Sequence, residues 1–438
     1  MKSLDQAVHR FRQLYGGGEI SALRAPARIN ILGEHVDYVS YLPTASLAFG
    51  SREHEMLMLF RPTDRCEVRG ASMDKRFSAF RFSLTQSQPP GQNQQNWEEF
   101  VFNRPIPLPH WSNYFKGAIS FAQWKSGAKL KHGFDFLIDS TIPPNSGASS
   151  SSALTVLAGA AIRMVNQIEF SLGEIAQESS QAEWFLGTRG GALDHKAICL
   201  ARPGHAVHIF HWKDDIEQIP LPDKGYCWVT FFSHAADKGR EIMLEYNERA
   251  AVSRLLIPAF WNDREREVPE TATLEDIAQI YPQTFLECER VFPALVKERR
   301  NRPLKLLDRM RHHAGETVRV KAAVALPSET SYSVDARMRV LGQLITRSHQ
   351  SLRDLYEVYT PEVDRLIDAV TSDPQVYGAR LMGGGFGGNV LALTTVENAA
   401  ALIDHVQAEF YTPQNRDGVG EGAVMISTPG DGLSAVKL

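Results

Sequence analysis

The chain has 438 residues, of which 43% are hydrophobic and 22% are charged, with a formal net charge of −4 at pH 7. This composition excludes a disordered or fibrous protein, and the length exceeds one ordinary core, so we expect two or three globular domains. The weakly acidic balance offers no general attraction for nucleic acid or an anionic membrane. Neither is expected as a partner, and any anion needs a local site.

The N-terminal segment MKSLDQAVHRFRQLYGGGE, residues 1–19, has apolar residues at helical spacing and predicts a helix. It lacks the apolar core and cleavage site of a signal peptide, and no apolar run approaches the ~20 residues that cross a bilayer. The four cysteines have neither disulfide-framework nor metal-ligand spacing: Cys66, Cys199, Cys227 and Cys288. These features predict a cytoplasmic protein.

The next segment, SALRAPARINILG at residues 21–33, predicts a strand with two different faces. Ile29 and Ile31 point to one side, whereas Arg28 and Asn30 point to the other. Further segments follow the same rules of periodicity. Strands are predicted at 51–62, 133–143 and 226–232, helices at 111–127, 336–359 and 360–370, and a polar loop at 86–96.

The proline-punctuated stretch IPLPDKG, residues 219–225, is the best candidate for a domain boundary. It precedes the apolar strand YCWVTFF and separates two halves of similar length. We therefore predict an N-terminal domain of residues 1–218 and a C-terminal domain of residues 219–438.

Four consecutive serines occur in PPNSGASSSSAL, residues 143–154, directly before the apolar segment ALTVLAGAAIRMVNQ. A linker or a single helix-capping serine would be the ordinary interpretation. The following segment is apolar nearly all round, as in a buried helix, and one cap needs only one serine. The free N–H groups and positive dipole end of such a helix predict a phosphate site.

A glycine run lies in GARLMGGGFGGNVLALTT, residues 378–395, and formally contains G-x-G-x-x-G. The segment after it predicts a strand, whereas a dinucleotide fingerprint requires a helix, and the G-K-[ST] of a P-loop is absent. A tight turn between strands is one alternative. Five glycines in six positions favour a close approach of the backbone to a ligand or to the serine helix.

Two further segments concentrate charged residues beside glycines. ARINILGEHVDY sets Glu34, His35, Asp37 and Tyr38 in the turn after the first strand, and GTRGGALDHKAICL sets Asp194 before a helical pattern. Each segment alone is explained by a solvated turn or by a helix N-cap.

Taken together, these segments resemble the GHMP kinase superfamily and, within it, the galactokinase family. ARINILGEHVDY is similar to the first family motif, PPNSGASSSSAL to the second, and GARLMGGGFGGNVLAL to the third. GGALDHKAICL resembles the catalytic Gly-Ile-Met-Asp-Gln segment, EIMLEYNERAA a sugar-contacting stretch, and RSHQSLRDLYEVYTPEVDRL the C-terminal helices. The resemblance covers most of the chain, and the ordered combination of motifs is highly specific.

The resemblance implies an α+β fold of two GHMP kinase domains with the active site in the cleft between them. It implies phosphorylation of a monosaccharide by ATP with Mg²⁺, and galactose at its anomeric C1 hydroxyl is the expected acceptor. The expected partners are the sugar and ATP, and the expected state is a monomer or weak homodimer. The alternatives are a kinase of arabinose, N-acetylgalactosamine or galacturonate, and a catalytically silent sensor of sugar and ATP.

The same resemblance assigns roles residue by residue. The candidate catalytic residues are Asp194, as the base, and Arg28, as the stabilising cation. The candidate sugar contacts are Glu34, His35, Asp37, Gly191 and Tyr246. The candidate nucleotide contacts are Gly147, Ser149, Ser150, Ser151, Ser152, Gly384 and Gly385, and the candidate metal ligands are Ser150 and Glu183.

The chain departs from the family pattern at four places. The loop VSYLP, residues 39–43, is two residues shorter than usual, and His195 replaces a glutamine beside Asp194. The serine motif has Ala148 for leucine and Ser152 for alanine, and Glu183 lies one residue closer than usual to Asp194. The short loop alters one wall of the sugar pocket. Retained Glu34 favours a neutral hydroxyl, since a sugar carboxylate would be repelled there.

Overall fold

The computed structural model describes residues 4–85, 89, 96–126, 130–144, 147–222, 224–235, 239–414 and 423–438. The predicted α+β class is confirmed, because two antiparallel-rich sheets pack with helices around several apolar clusters. The described α-helices are α1 Leu4–Tyr15, α2 Trp97–Phe102, α3 Ser112–Ser126, α4 Ser150–Val165, α5 Leu172–Ala182, α6 Leu193–Leu200, α7 Arg240–Ala251, α8 Ile257–Trp261, α9 Leu274–Ile280, α10 Pro282–Val291, α11 Pro293–Arg299, α12 Leu306–Ala325, α13 Val334–Ser351, α14 Pro361–Thr371 and α15 Ala399–Val406. The described strands are β1 Ser21–Leu32, β2 Ala45–Thr63, β3 Glu67–Ser72, β4 Phe80–Ser83, β5 Gly133–Ser140, β6 His205–Phe210, β7 Ile216–Pro220, β8 Tyr226–Phe232, β9 Thr271–Ala272, β10 Leu304–Lys305, β11 Gly378–Met382, β12 Asn389–Thr395, β13 Val424–Ser427 and β14 Ser434–Ala435.

The first sheet has the order β14-β1-β2-β5-β3-β4, and β6 and β7 extend it from β2. The apolar helices α3 and α4 pack on one face, where Ala25 and Ala27 contribute to their cluster. A register shift between Pro26 and Arg28 interrupts the pairing of β1 with β2. Beyond it, Ile29 and Ile31 pack in the cluster that includes residues of the second sheet. The shift exchanges the faces of β1, so Arg28 points towards α4 and α6.

The second sheet has the order β11-β12-β8-β13 and is antiparallel throughout. Helices α14 and α15 share one apolar cluster with this sheet. Helices α12 and α13 pack against β1 of the first sheet, and α13 also packs against β11 of the second sheet. The two sheets are therefore connected through a common helical layer. This arrangement brings the turn after β1 next to the glycine run between β11 and β12.

Most elements expected from the sequence are present. The N-terminal helix, the strand at 21–33 and the helix after the serines are confirmed by α1, β1 and α4. The strand predicted after the glycine run is confirmed by β12. The predicted polar loop at 86–96 lies almost wholly outside the described residues.

The predicted domain boundary at 218/219 falls within β7, residues Ile216–Pro220, which pairs with β6 in the first sheet. The last strand, Ser434–Ala435, also returns to this sheet and pairs with β1. The first sheet thus continues to residue 220 and takes up a strand from the end of the chain. Within the described residues, no helix combines the length and the apolar character that a membrane span needs.

Candidate active site

The serine turn, defined here as residues 147–152, leads into the buried helix α4. Ser149 has a left-handed backbone with φ of 61° and occupies the N-cap position, but its side chain does not cap the helix. Its hydroxyl instead donates a hydrogen bond of 2.6 Å to Oδ2 of Asp194. The linker and the simple cap are therefore both wrong for this segment, and the N-terminus of α4 is left open. Asn145 and Ser146 of the motif lie outside the described residues.

Asp194 lies in the first turn of α6, where Ala192 rather than Asp194 is the N-cap residue. Nε of Arg28 donates to its Oδ1 over 2.7 Å. Burial raises the pKa of Asp194, but the charge of Arg28 and the hydrogen bonds from Arg28 and Ser149 outweigh it and bring the pKa below its ordinary value. The carboxylate is therefore ionised at neutral pH and is held in one orientation.

Arg28 is only 3% exposed and joins several parts of the site. Its backbone N–H donates to the carbonyl of Ala148 over 3.2 Å, which connects β1 with the serine turn. Its Nη1 is buried and has no hydrogen-bond partner among the described residues. Burial opposes its charge, but the carboxylates of Asp194, Glu34 and Asp37 raise its pKa. A donor of this kind is available to an oxygen atom of a ligand.

Glu34 lies in the turn after β1, and its carboxylate contacts β11 of the second sheet. It pairs with Arg380 and accepts a hydrogen bond of 3.0 Å from the backbone N–H of Gly383. Arg380 has no exposed surface and also lies 3.8 Å from Glu316. The N–H of Gly33 donates to Glu316 over 2.8 Å. The sequence did not identify this ionic network, although an arginine inside the apolar strand GARLM was its one visible signal.

Asp37 and Gly191 lie in close contact. A Cβ atom at Gly191 would lie 2.4 Å from both the carbonyl oxygen and Oδ2 of Asp37, so only glycine fits this position. Burial and the nearby charge of Asp194 raise the pKa of Asp37 to about 6, although Arg254 opposes the shift. The site thus contains two neighbouring carboxylates whose pKa values are shifted in opposite directions, that of Asp37 upwards and that of Asp194 downwards.

Tyr246 and His35 lie next to each other, close to the turn that contains Asp37. A Cβ atom at Gly190 would lie 3.5 Å from Oη of Tyr246, and one at Gly384 would lie 3.8 Å from its ring. The ring of His35 lies 5.9 Å from that of Tyr246, and its Nδ1 lies 2.8 Å from Oη of Tyr38. Burial lowers the pKa of His35 to about 3, so its imidazole is neutral near pH 7.

The glycine loop, residues 383–388, packs against the serine turn. A Cβ atom at Gly147 would lie 3.0 Å from the carbonyl oxygen of Met382, and one at Gly385 would lie 2.4 Å from that of Val358. Both glycines also have positive φ values, of 80° and 83°. Because β12 rather than a helix follows the loop, the structure lacks the context of a dinucleotide-binding fingerprint. The loop instead brings the backbone of the second sheet to the N-terminus of α4.

Glu183 begins a short 3₁₀ helix, Glu183–Leu186, beside α4. Its Oε1 accepts from Oγ1 of Thr155 over 3.3 Å and lies 3.5 Å from Nε2 of His195. The described residues contain no group of three or more His, Cys, Asp or Glu side chains arranged to hold a metal. A single carboxylate beside the N-terminus of a helix nevertheless suits Mg²⁺ in general, because this ion binds through one or two carboxylates together with substrate phosphates.

The sequence missed Arg254, which lies in the π-helical segment Val252–Leu256 that follows α7. Its Nη2 donates to the carbonyl of Gly190 over 3.0 Å, and the charges of Asp37 and Tyr246 favour its charged form. No motif marks this arginine, because its position depends on how α7 packs. The structure therefore brings several predicted residues and Arg254 together in one region between the two sheets. They are Arg28, Asp194, Tyr246 and the turn at residues 33–38 that contains Asp37, called here the Asp37 turn.

Known proteins resemble this chain along its whole length. The N-terminal domain of GHMP kinases matches residues 113–202, the C-terminal domain of GHMP kinases matches 333–412, and the galactokinase galactose-binding signature matches 9–45. Human galactokinase is 29% identical over 95% of both chains. A galactokinase of Actinobacillus pleuropneumoniae serotype 3 is 28% identical over 92% of both.

Solved structures share the fold. The structure of Lactococcus lactis galactokinase in complex with galactose superposes with a TM-score of 0.73 at 23% identity and covers 98% of this chain and 99% of that one. The mevalonate kinase of Methanococcus jannaschii does so with a TM-score of 0.54 at 16% identity, covering 95% and 100%. With both kinase domains and the shared architecture present, the chain belongs to the GHMP kinase superfamily. The galactose-binding signature and the full-length relatives place it, within that superfamily, in the galactokinase family.

Proposed function

We propose that this protein is an ATP-dependent sugar kinase that phosphorylates galactose at its anomeric C1 hydroxyl. The observation that carries the proposal is the position of Asp194, which is held by Arg28 and Ser149 at the junction of the serine turn and the Asp37 turn. Membership of the galactokinase family supports galactose as the acceptor.

The chemistry assigned to Asp194 is acceptance of the proton from the C1 hydroxyl. The C1 oxygen forms a bond to the γ-phosphorus of ATP while the bond from that phosphorus to the β,γ-bridging oxygen breaks, and ADP leaves with the electron pair. The low pKa of Asp194 makes it a weak base, so most of the proton transfer accompanies bond formation to phosphorus. Arg28 orients Asp194, and its free Nη1 is directed to an oxygen of the sugar or the transferring phosphoryl group.

We assign the nucleotide phosphates to the open N-terminus of α4. Backbone N–H groups and the helix dipole attract anions there, and hydroxyls of the serine turn add donors. The assigned contacts are Gly147, Ser149, Ser150, Ser151 and Ser152 from the serine turn, and Gly384 and Gly385 from the glycine loop. The close packing of Gly147 against Met382 supports a shared site, because both backbones then face one ligand.

Glu183 and the hydroxyl of Ser150 are the residues that would hold Mg²⁺ in this arrangement. Held there, the ion would supply positive charge to the β- and γ-phosphate oxygens. Glu183 lies close to α4 through Thr155, which supports this assignment.

We assign the sugar to the region of Asp37, Gly191 and Tyr246, with Glu34 and His35 behind it. Asp37 accepts hydrogen bonds from hydroxyls, and the missing side chain of Gly191 lets the Asp37 carboxylate lie against the backbone of this loop. Glu34 is already paired with Arg380, so a sugar hydroxyl would donate to a carboxylate that is fixed in place. The domain division, the cytoplasmic location and the monomeric or weakly dimeric state are further proposals that rest on the sequence.

The test is ADP release with ATP, Mg²⁺ and a panel of galactose, arabinose, N-acetylgalactosamine and galacturonate, followed by ³¹P NMR of the product. We expect turnover of galactose and an anomeric phosphate. Turnover of another sugar with galactose inert would contradict the acceptor. Binding of galactose and ATP without any turnover would indicate a sensor, and phosphorylation at another hydroxyl would contradict the assigned position.

A further inference from the structure

Arg254 lies at the edge of the proposed sugar region with part of its donor capacity unused. Its Nη2 donates to the carbonyl of Gly190, whereas its buried Nε has no partner among the described residues. The guanidinium carbon lies 5.4 Å from the centre of the Trp184 ring and 5.7 Å from that of Tyr38. The faces of the two aromatic rings attract the guanidinium charge, whereas burial lowers the pKa of Arg254.

Asp37 offers the complementary acceptor. The charges of Arg254 and Asp37 interact favourably, and the hydrogen bond from Nη2 of Arg254 goes to Gly190 rather than to Asp37. The buried Nε of Arg254 is costly unless an acceptor reaches it. Asp37 is half-buried and accepts from the backbone N–H of Leu193, and a carboxylate has further acceptor sites for a ligand. The same region also contains the hydroxyl of Tyr246 and the backbone of Gly190 and Gly191.

The short loop at residues 39–43 is held through Tyr41. Oη of Tyr41 lies 2.7 Å from Nδ1 of His313 on α12, and its ring packs 5.4 Å from that of Trp261. The loop is thus anchored to α8 and α12. Arg254 lies near the ring of Tyr38, the residue after Asp37.

We propose that Arg254 is a specificity-determining residue, which donates to one hydroxyl of the acceptor sugar while Asp37 accepts from the neighbouring hydroxyl. This inference rests on the proposed function and names the chemistry that the site recognises, a neutral sugar with two adjacent hydroxyls. A uronate is disfavoured because its carboxylate would approach Asp37 and Asp194 together. The charge of Glu34 no longer decides this question, since Arg380 pairs with it.

The experiment uses the full chain and the variants Arg254→Gln and Arg254→Lys, with Arg189→Gln as a matched comparison. Arg189 is also buried against an aromatic ring and donates to the backbone of Trp184, but Asp37 is not among the groups that act on it. Galactose and its monodeoxy derivatives are compared by kcat/KM and by calorimetric binding, with KM for ATP measured in parallel. Thermal melting confirms that each variant is folded.

We expect Arg254→Gln to raise KM for galactose about 10- to 100-fold while KM for ATP changes less than about twofold. In the wild-type protein, the monodeoxy sugar that lacks the hydroxyl bound by Arg254 should have a lower kcat/KM than galactose. In Arg254→Gln this difference should disappear, because the donor for that hydroxyl is gone. Arg254→Lys should restore part of the affinity without restoring that discrimination, since lysine lacks the planar fork of donors.

An equal loss for galactose and every monodeoxy sugar, as expected for Arg189→Gln, would overturn the proposal and leave Arg254 as a support of the Gly190 carbonyl. If the wild-type protein phosphorylates galactose and Arg254→Gln has the same kcat/KM, this inference is overturned and the proposed function stands. Wild-type protein that neither binds nor phosphorylates galactose would overturn the proposed function, and this inference with it.

Discussion

Asp194 shows how one side chain obtains its chemical state from groups far away in the chain. Arg28 comes from β1, Ser149 from the start of α4, and Asp194 itself from α6. Burial raises the pKa of Asp194, but Arg28 and Ser149 lower it by more, so Asp194 is ionised. The neighbouring Asp37 has a pKa of about 6. Two carboxylates of the same type can therefore serve different purposes in one site.

The first prediction concerns Asp194→Asn. Loss of the proton acceptor should lower kcat by about 10²- to 10⁴-fold in a coupled assay. Asparagine can still accept from Ser149, but the buried Arg28 loses its counter-charge, so the melting temperature should fall while the fold survives. Turnover equal to wild type would refute the catalytic assignment.

The second prediction is an acidic limb in the pH profile of kcat/KM for galactose. In the proposed site Asp37 accepts from sugar hydroxyls as a carboxylate, so kcat/KM should decrease as the pH falls through about 6 and Asp37 becomes protonated. Asp194 and Glu34 face Asp37 and raise its pKa, whereas Arg254 and the backbone N–H of Leu193 lower it.

Arg254→Gln should accordingly move this acidic limb to higher pH, because a cation that favours the carboxylate is removed. Asp37→Asn should abolish the limb at reduced activity. A limb that persists unchanged in Asp37→Asn would assign the titration to another group.

At the scale of elements, the site forms where the backbones of two chain segments contact each other directly. The serine turn opens α4, and the glycine loop joins β11 to β12. Their contact at Gly147 and Gly383 is close enough that a Cβ atom at Gly383 would lie 3.2 Å from the Cα of Gly147. Glycine is required there because the backbones themselves touch.

The third prediction follows for Gly385→Val. The new side chain would meet the carbonyl of Val358 at 2.4 Å and would occupy a φ of 83°, so the loop must shift. KM for ATP should rise about 10-fold, in line with strain of 1–3 kcal/mol, while the affinity for galactose changes little. Gly204→Val is the matched control, since Gly204 has a φ of 70° but open space around its Cβ position. Equal effects of the two variants on KM for ATP would contradict the steric account.

At the scale of the whole molecule, the two sheets are connected through charge as well as through apolar packing. Arg380 of β11 reaches Glu34 in the turn after β1 and Glu316 in α12. Glu316 is fully buried and accepts from Oγ of Ser348 over 2.7 Å. The strand β14 adds a second connection, because the end of the chain pairs with β1.

The fourth prediction concerns Arg380→Met. Removal of the cation leaves the buried Glu34 without its counter-charge, whereas Glu316 keeps its pair with Arg319, and the free energy of unfolding should fall by about 3–5 kcal/mol. Urea unfolding followed by circular dichroism measures this change. Arg339→Met, which breaks an exposed pair with Asp335, should cost no more than about 1 kcal/mol.

The double variant Arg380→Met with Glu34→Gln should recover part of the lost stability, since one unpaired charge is then removed. Losses that simply add would show that Arg380 and Glu34 do not interact. A loss of about 1 kcal/mol for Arg380→Met would show that the network is not the connection we describe.

The sequence by itself determined the local elements of the site. The apolar residues after the four serines predicted α4, and the alternation after the glycines predicted β12, because helix and strand periodicity are properties of neighbouring residues. The order of motifs also determined the family, and Asp194 and Arg28 were identified as a candidate pair through it.

The tertiary structure decided which side chains meet. Arg28 faces Asp194 because a register shift in β1 exchanges its faces, which no periodicity predicts. Glu34 contacts Arg380 and Arg254 contacts Gly190 across separations of 346 and 64 residues. Such contacts depend on how whole elements pack, and a pattern of near neighbours contains no information about them.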